Sequence, residues 1–190
     1  MKVLLVNGSP HEDGCINFAL EQIEDILNKE EIETEKIWIG NKKITGCIGC
    51  NYCLKNDNKC FINDEVNIFI EKSKQAQGFI IGSPVHFASA SGVLTSFLDR
   101  VFYGRGNIFA GKAYASVISC RRGGATSTFD QLNKYALISN MYVVRKFILE
   151  SNTWNKKRRS NARFRRSSNN EKFRKKYGIF IKKYRKIKFK

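Results

Sequence analysis

Lys2-Val3-Leu4-Leu5-Val6-Asn7-Gly8-Ser9-Pro10-His11-Glu12-Asp13-Gly14-Cys15-Ile16 is the stretch whose reading decides the fold. A β-branched and leucine run breaks at Asn-Gly-Ser-Pro, as a strand running into a turn does. From Asn17 to Asn28, Phe18, Ile23, Ile26 and Leu27 recur at helical spacing, with acids on the other face. Strand, loop and helix form one unit.

Working outward, Thr34–Ile39 reads as a second strand, Gly78–Val85 as a third, Ala113–Ser119 as a fourth and Tyr142–Leu149 as a fifth. The third has the all-apolar character of a strand buried on both faces. Helical patterns fall at Asp64–Gln75, Ser91–Phe102 and Thr128–Ile138. This alternation predicts an α/β fold, a doubly wound parallel five-stranded sheet with right-handed crossovers. Ligands on such sheets bind beyond the carboxyl ends of the strands. Segments 8–16, 84–92 and 120–124 all fall there.

The 190 residues fit one domain, and 42% hydrophobic content with two prolines excludes a wholly disordered or collagenous chain. No apolar run reaches the roughly 18 residues of a membrane span. Met1–Asn7 is too brief for a secretory apolar region, which points to a cytoplasmic address. The net charge of +17 is unevenly spread: residues 156–190 hold 17 basic residues and one acid, Glu171, while residues 1–155 hold 17 basic residues and 16 acids. The domain reading is a nearly neutral body, 1–155, followed by a very basic tail, 156–190.

Gly8 to Ile16 supplies two glycines, a serine and a helix N-terminus, whose free N–H groups and positive dipole end suit a phosphate. A plain Pro-turn loop reads equally well from this segment alone. Neither a P-loop lysine nor a GxGxxG pattern is present, which disfavours a nucleoside triphosphate or a Rossmann-bound dinucleotide.

Together with Gly82-Ser83-Pro84-Val85-His86-Phe87 and Ser91-Gly92-Val93-Leu94-Thr95-Ser96-Phe97-Leu98-Asp99-Arg100, this loop resembles the NADPH-dependent FMN reductase branch of the flavodoxin-like superfamily. The resemblance extends over about residues 1–144, through Ser119-Cys120-Arg121-Arg122-Gly123-Gly124 and the start of the helix at Thr128. It implies FMN as cofactor, with Ser9, His11, Gly14, Cys15 and Ile16 around its phosphate. Pro84, Val85, His86 and Phe87 would then meet the flavin edge and face, with Arg121, Arg122, Gly123 and Gly124 on the other side. The family commonly closes its phosphate loop with a threonine hydroxyl; here Cys15-Ile16 stands instead, so backbone donors carry more of the binding, with Asn17 as the compensating side chain. His86 also reads as a hydrogen-bonded structural residue, and Arg121 and Arg122 as solvated surface arginines.

Cys47-Ile48-Gly49-Cys50-Asn51-Tyr52-Cys53 followed by Cys60 gives C-x2-C-x2-C-x6-C, in an insert after the second strand. Two-residue gaps let successive thiolates converge on one metal centre, and a fourth can close the set. A disulfide frame is the weaker reading in a reducing compartment. Zinc is chemically admissible, but three cysteines this close fit a [4Fe-4S] cluster better. The pattern is similar to the cysteine motif of iron-sulfur flavoproteins, a subgroup of the same superfamily, although many flavin reductases keep similar cysteines in this loop without a proven cluster. Cys15 and Cys120 have no partner at ligand spacing and read as small buried residues.

The resemblance implies an NAD(P)H-dependent oxidoreductase that takes hydride onto the flavin and needs no catalytic acid–base dyad. Its electrons would pass to a small-molecule acceptor, a flavin or quinone, or through a cluster to a ferredoxin-like protein. Relatives imply a homodimer or homotetramer. A non-catalytic flavin electron carrier is the competing reading.

The tail, basic with interleaved aromatics, reads as a nucleic-acid or anionic-membrane arm. Its composition also matches an AT-rich genome translated in an arbitrary frame. Back-translated with suitable synonymous codons and shifted by one nucleotide, Ala162 to Lys186 yields QDLEGLQTMRNLGKNMAFLLKNIE, an amphipathic helix pattern similar to the C-terminal helix of the FMN reductases. On that reading the tail is an out-of-frame product, nucleic acid is not a partner, and the body alone carries the function.

Overall fold

The computed structural model describes residues 1–103 and 106–150. The basic tail at 156–190, and with it the frameshift reading, lies outside the described residues.

Strands β1 (Lys2–Asn7), β2 (Glu33–Trp38), β3 (Gly78–His86), β5 (Ala113–Cys120) and β6 (Tyr142–Glu150) form a parallel sheet in the order β2-β1-β3-β5-β6. A two-residue strand, β4 (Ser89–Ala90), folds back antiparallel on the end of β3. Helices α1 (Cys15–Lys29), α3 (Glu65–Gln75), α4 (Gly92–Phe102) and α6 (Ala125–Ile138) cover the faces, and two four-residue helices, α2 (Tyr52–Lys55) and α5 (Gly106–Phe109), lie in the connections. The chain winds from β1 outward to β2 and then back across β1 to β3. The order therefore reverses between β1 and β3, which opens a crevice at their carboxyl ends.

Strands β1, β3 and β5 are buried on both faces, which explains their near-continuous apolar runs. Val3 and Leu5 of β1 and Ile80 of β3 pack with Ile16, Leu20 and Ile23 of α1. Leu4 and Val6 point the other way and join Phe79, Phe69 of α3, Phe97 of α4 and Leu132 of α6. Edge strand β2 is half polar, and Lys2 pairs with Glu33 at 3.1 Å and with Glu35 at 2.8 Å across its register with β1.

The five expected strands and four expected helices are all present. Helix α6 begins three residues before the expected Thr128, at Ala125, because Gly124 at φ 82° turns the chain into it. The hairpin between β3 and β4 was not expected. Phe87 and Ala88 both take positive φ, 50° and 61°, the backbone of a tight two-residue hairpin turn, usually made by Asn-Gly. Among the described residues no helix is long and apolar enough to cross a membrane.

Candidate functional site

The crevice at the sheet reversal is a cleft of about 790 Å³. The β1–α1 loop forms one wall. Asn7, 1% exposed at the end of β1, organises this loop from below: its Oδ1 accepts from Ser9 N at 3.0 Å and its Nδ2 donates to Glu12 O at 3.1 Å. Ser9 Oγ accepts from His11 N at 3.2 Å. The loop is also held from outside, since Gly8 N donates to Gly82 O at 2.9 Å, Ser91 Oγ donates to Gly8 O at 2.7 Å and Trp38 Nε1 donates to Ser9 O at 2.8 Å.

Helix α1 opens on Gly14 with no side-chain cap. The amides of Cys15, Ile16 and Asn17 meet no acceptor among the described residues. Three aligned donors at the end of a fifteen-residue helix, beside the Ser9 hydroxyl, suit a phosphate dianion. The close seating of this helix on the sheet depends on Gly82, where a Cβ would lie 2.5 Å from Ile16 Cγ2.

Pro84, Val85 and His86 from β3, and Ser119, Cys120 and Arg121 from the end of β5, complete the cleft. Of the residues expected from sequence, Ser9, His11, Gly14, Cys15, Ile16, Pro84, Val85, His86 and Arg121 line it together. Phe87, Arg122, Gly123 and Gly124 stand outside the lining; Phe87 is fully exposed at the tip of the β3–β4 hairpin. Gly124 instead seats the hairpin, since a Cβ there would lie 2.6 Å from Ala88 Cα. Ser127 Oγ donates to Ala88 O at 2.6 Å, and Gln131 Oε1 accepts from both Ser89 Oγ and Ala90 N at 2.9 Å. Asn17 does not take the place of the missing threonine: its Nδ2 donates to Glu21 Oε1 at 2.8 Å. Pro10, Glu12, Asp13, Ser119 and Cys120 line the cleft without having been singled out as contacts. The position of Ser119 and Cys120 at a strand's carboxyl end was the available signal.

The four cysteines of the insert border a second, smaller cavity, shared with Arg100 and Tyr103. Gly49 at φ 66° and Asn51 at φ 56° reverse the chain between successive cysteines, and glycine and asparagine are the residues that tolerate this backbone. Cys47 and Cys50 are exposed, Cys60 is half-buried, and Cys53 is buried with its Sγ donating to Tyr103 O at 3.8 Å. Among the described residues no three cysteine, histidine or carboxylate side chains are gathered tightly enough to hold a single metal ion. All four thiols line this one cavity, and four cysteine sulfurs are the donor set that an iron-sulfur group takes.

Arg100, 1% exposed on α4, reaches this cavity. Its Nη1 and Nη2 donate to the two Asp64 carboxylate oxygens at 2.6 and 2.9 Å, and its Nε and Nη2 both donate to Cys60 Sγ at 3.4 Å. Burial opposes its charge, but the bonds to Asp64 and then Cys60 outweigh it and hold the guanidinium above its ordinary pKa.

A parallel sheet in this order, with an open cleft at its reversal beside an uncapped helix start, defines a flavodoxin-like protein. The model of the NADPH-dependent FMN reductase family matches residues 1–155. An iron-sulfur flavoprotein of Methanocaldococcus jannaschii is 37% identical over 150 residues, 76% of either chain. Among solved structures, an NAD(P)H:quinone oxidoreductase from Methanothermobacter marburgensis aligns with a TM-score of 0.70 at 15% identity, covering 92% of this chain and 96% of its own. A flavodoxin from the domain Archaea aligns at 0.58 with 14% identity, covering 97% and 99%. At such identities the solved structures speak for the fold. The chain belongs to the NADPH-dependent FMN reductase and iron-sulfur flavoprotein family, and its activity is that of a flavin-dependent oxidoreductase.

Proposed function

We propose that this protein binds FMN in the cleft at the sheet reversal, accepts electrons there from NAD(P)H, and delivers them one at a time through a [4Fe-4S] cluster on Cys47, Cys50, Cys53 and Cys60. The observation that carries this reading is the presence in one chain of two built cavities: the phosphate-suited cleft and the four-thiol cavity. FMN, when bound, supplies the exchange between a two-electron donor and one-electron acceptors.

The chain's own residues bind and orient. The amides of Cys15, Ile16 and Asn17 and the Ser9 hydroxyl hold the phosphate. Pro84, Val85 and His86 would border the ring, and Arg121 would offer it positive charge from the same cleft. The acceptor is a ferredoxin-like protein when the cluster is in the route, and a small flavin or quinone when it is not.

Anaerobic titration tests the reading. FMN should bind at least about tenfold more tightly than riboflavin, because the phosphate adds charge-assisted hydrogen bonds of about 1.5–3 kcal/mol each. NADPH or NADH should then bleach the bound flavin. Alanine at all four cysteines should abolish iron content and ferredoxin reduction while FMN binding survives. Equal affinity for FMN and riboflavin would refute the phosphate site. Bound FMN that neither nucleotide reduces would make the protein an electron carrier.

A further inference from the structure

We infer that Arg100 is a positioning residue for the four-cysteine cavity: with Asp64 it fixes the Cys60 sulfur and stabilises the electron added to an iron-sulfur group ligated there. The inference rests on the cluster reading above. Arginine is seldom fully buried, and here its fork is spent on neighbours of one cysteine segment. Nη1 donates to Thr45 O at 3.4 Å, just before Cys47, and Nη2 to Ile62 O at 3.0 Å, just after Cys60. The guanidinium thus clasps both ends of the segment while its Nε and Nη2 point at one sulfur.

Cys60 is held on its other side as well. Its backbone N–H donates to Asn67 Oδ1 at 2.7 Å, and Asn67 Nδ2 donates back to Cys60 O at 3.0 Å. Helix α3 therefore fixes the Cys60 backbone and helix α4 its sulfur. A cysteine sulfur that ligates iron carries partial negative charge, and the two guanidinium N–H groups at 3.4 Å from Cys60 Sγ are placed to share it.

Adding one electron to a thiolate-ligated group puts more negative charge on its sulfurs, with no bond made or broken. A hydrogen bond from a cation strengthens as that charge grows, so it favours the reduced form and raises the potential. Asp64 counters this by neutralising much of the arginine's charge. Removing the donor and removing the counter-charge therefore move the potential in opposite directions, which a purely structural clasp would not do.

The test uses the full-length protein, purified anaerobically with its FMN and iron, in a redox titration followed by electron paramagnetic resonance, with flavin absorbance as internal reference. Arg100→Lys keeps the charge but loses the fork, and should lower the reduced-to-oxidised ratio at fixed poise about tenfold, or ~59 mV for one electron. Asp64→Asn should raise that ratio by several-fold. The flavin potential should stay unchanged in both. Should Arg100→Lys fail to fold, the upward shift in Asp64→Asn decides alone. Ratios within about twofold of the parent at full iron and sulfide content, or shifts of one sign in both variants, would overturn the role of Arg100 and leave the cluster reading standing. A parent protein without iron or sulfide would overturn both.

Discussion

Gly82→Ala tests how the sheet seats helix α1 at the proposed phosphate site. The added methyl carbon would lie 2.5 Å from Ile16 Cγ2, 3.2 Å from Val6 O and 3.4 Å from Leu20 Cδ1. Carbon atoms pack at about 3.5–4.0 Å, so Ile16 must retreat by about 1 Å or more. Ile16 is 1% exposed at the start of α1, and as a β-branched residue it is held to essentially one χ1 rotamer in a helix, so the helix start moves with it. Overpacking of this kind costs about 1–3 kcal/mol of stability. A shift of about 1 Å takes hydrogen bonds from the first-turn amides out of range. Losing one or two such bonds to a phosphate, at about 1.5–3 kcal/mol each, lowers FMN affinity by roughly 10- to 10,000-fold. Riboflavin, which lacks the phosphate, should lose much less. Urea unfolding gives the first quantity and flavin fluorescence titration the second. The control is Ile16→Ala, which removes the clashing Cγ2: in the double variant Gly82→Ala should cost at least about 1 kcal/mol less than it does alone. An unchanged FMN affinity in Gly82→Ala, or a cost that persists without Ile16 Cγ2, would refute this coupling.

Two further outcomes follow from strain and burial. Ala88→Gly should stabilise the fold by about 0.5–1 kcal/mol, because a left-handed alanine at φ 61° costs about 1–2 kcal/mol and glycine returns part of that as unfolded-state entropy; a lower melting temperature would contradict the hairpin geometry. Lys112 is pulled down to about 8 by burial, from an ordinary 10.5. Between those values the unfolded chain holds a proton that the folded protein has released, so the parent should gain stability relative to Lys112→Met as pH rises from about 8 toward 10.5. A difference between the two that does not vary with pH would exclude this linkage.

Much of this architecture is legible in the order of residues, because a strand buried on both faces leaves an unbroken apolar run. Lys2 to Asn7 and Gly78 to Pro84 show this directly, and the loops at their carboxyl ends mark the cleft. The hairpin at Phe87 and Ala88 is different. Neither residue favours positive φ, and the turn exists because Gly124, Ser127 and Gln131 of a later segment hold it. Asn7, with two hydrogen bonds, and Trp38, with one, organise the β1–α1 loop, and no local pattern announces them. Arg100 is hidden for a related reason: Asp64 and Cys60 lie 36 and 40 residues from it, and only the packing of α4 against the insert brings them together.

The visible absorption spectrum of the anaerobically purified protein tests the central claim most directly. Two flavin bands, together with a broad absorption that dithionite bleaches, are the predicted result. A colourless protein that takes up no FMN on addition would contradict the account.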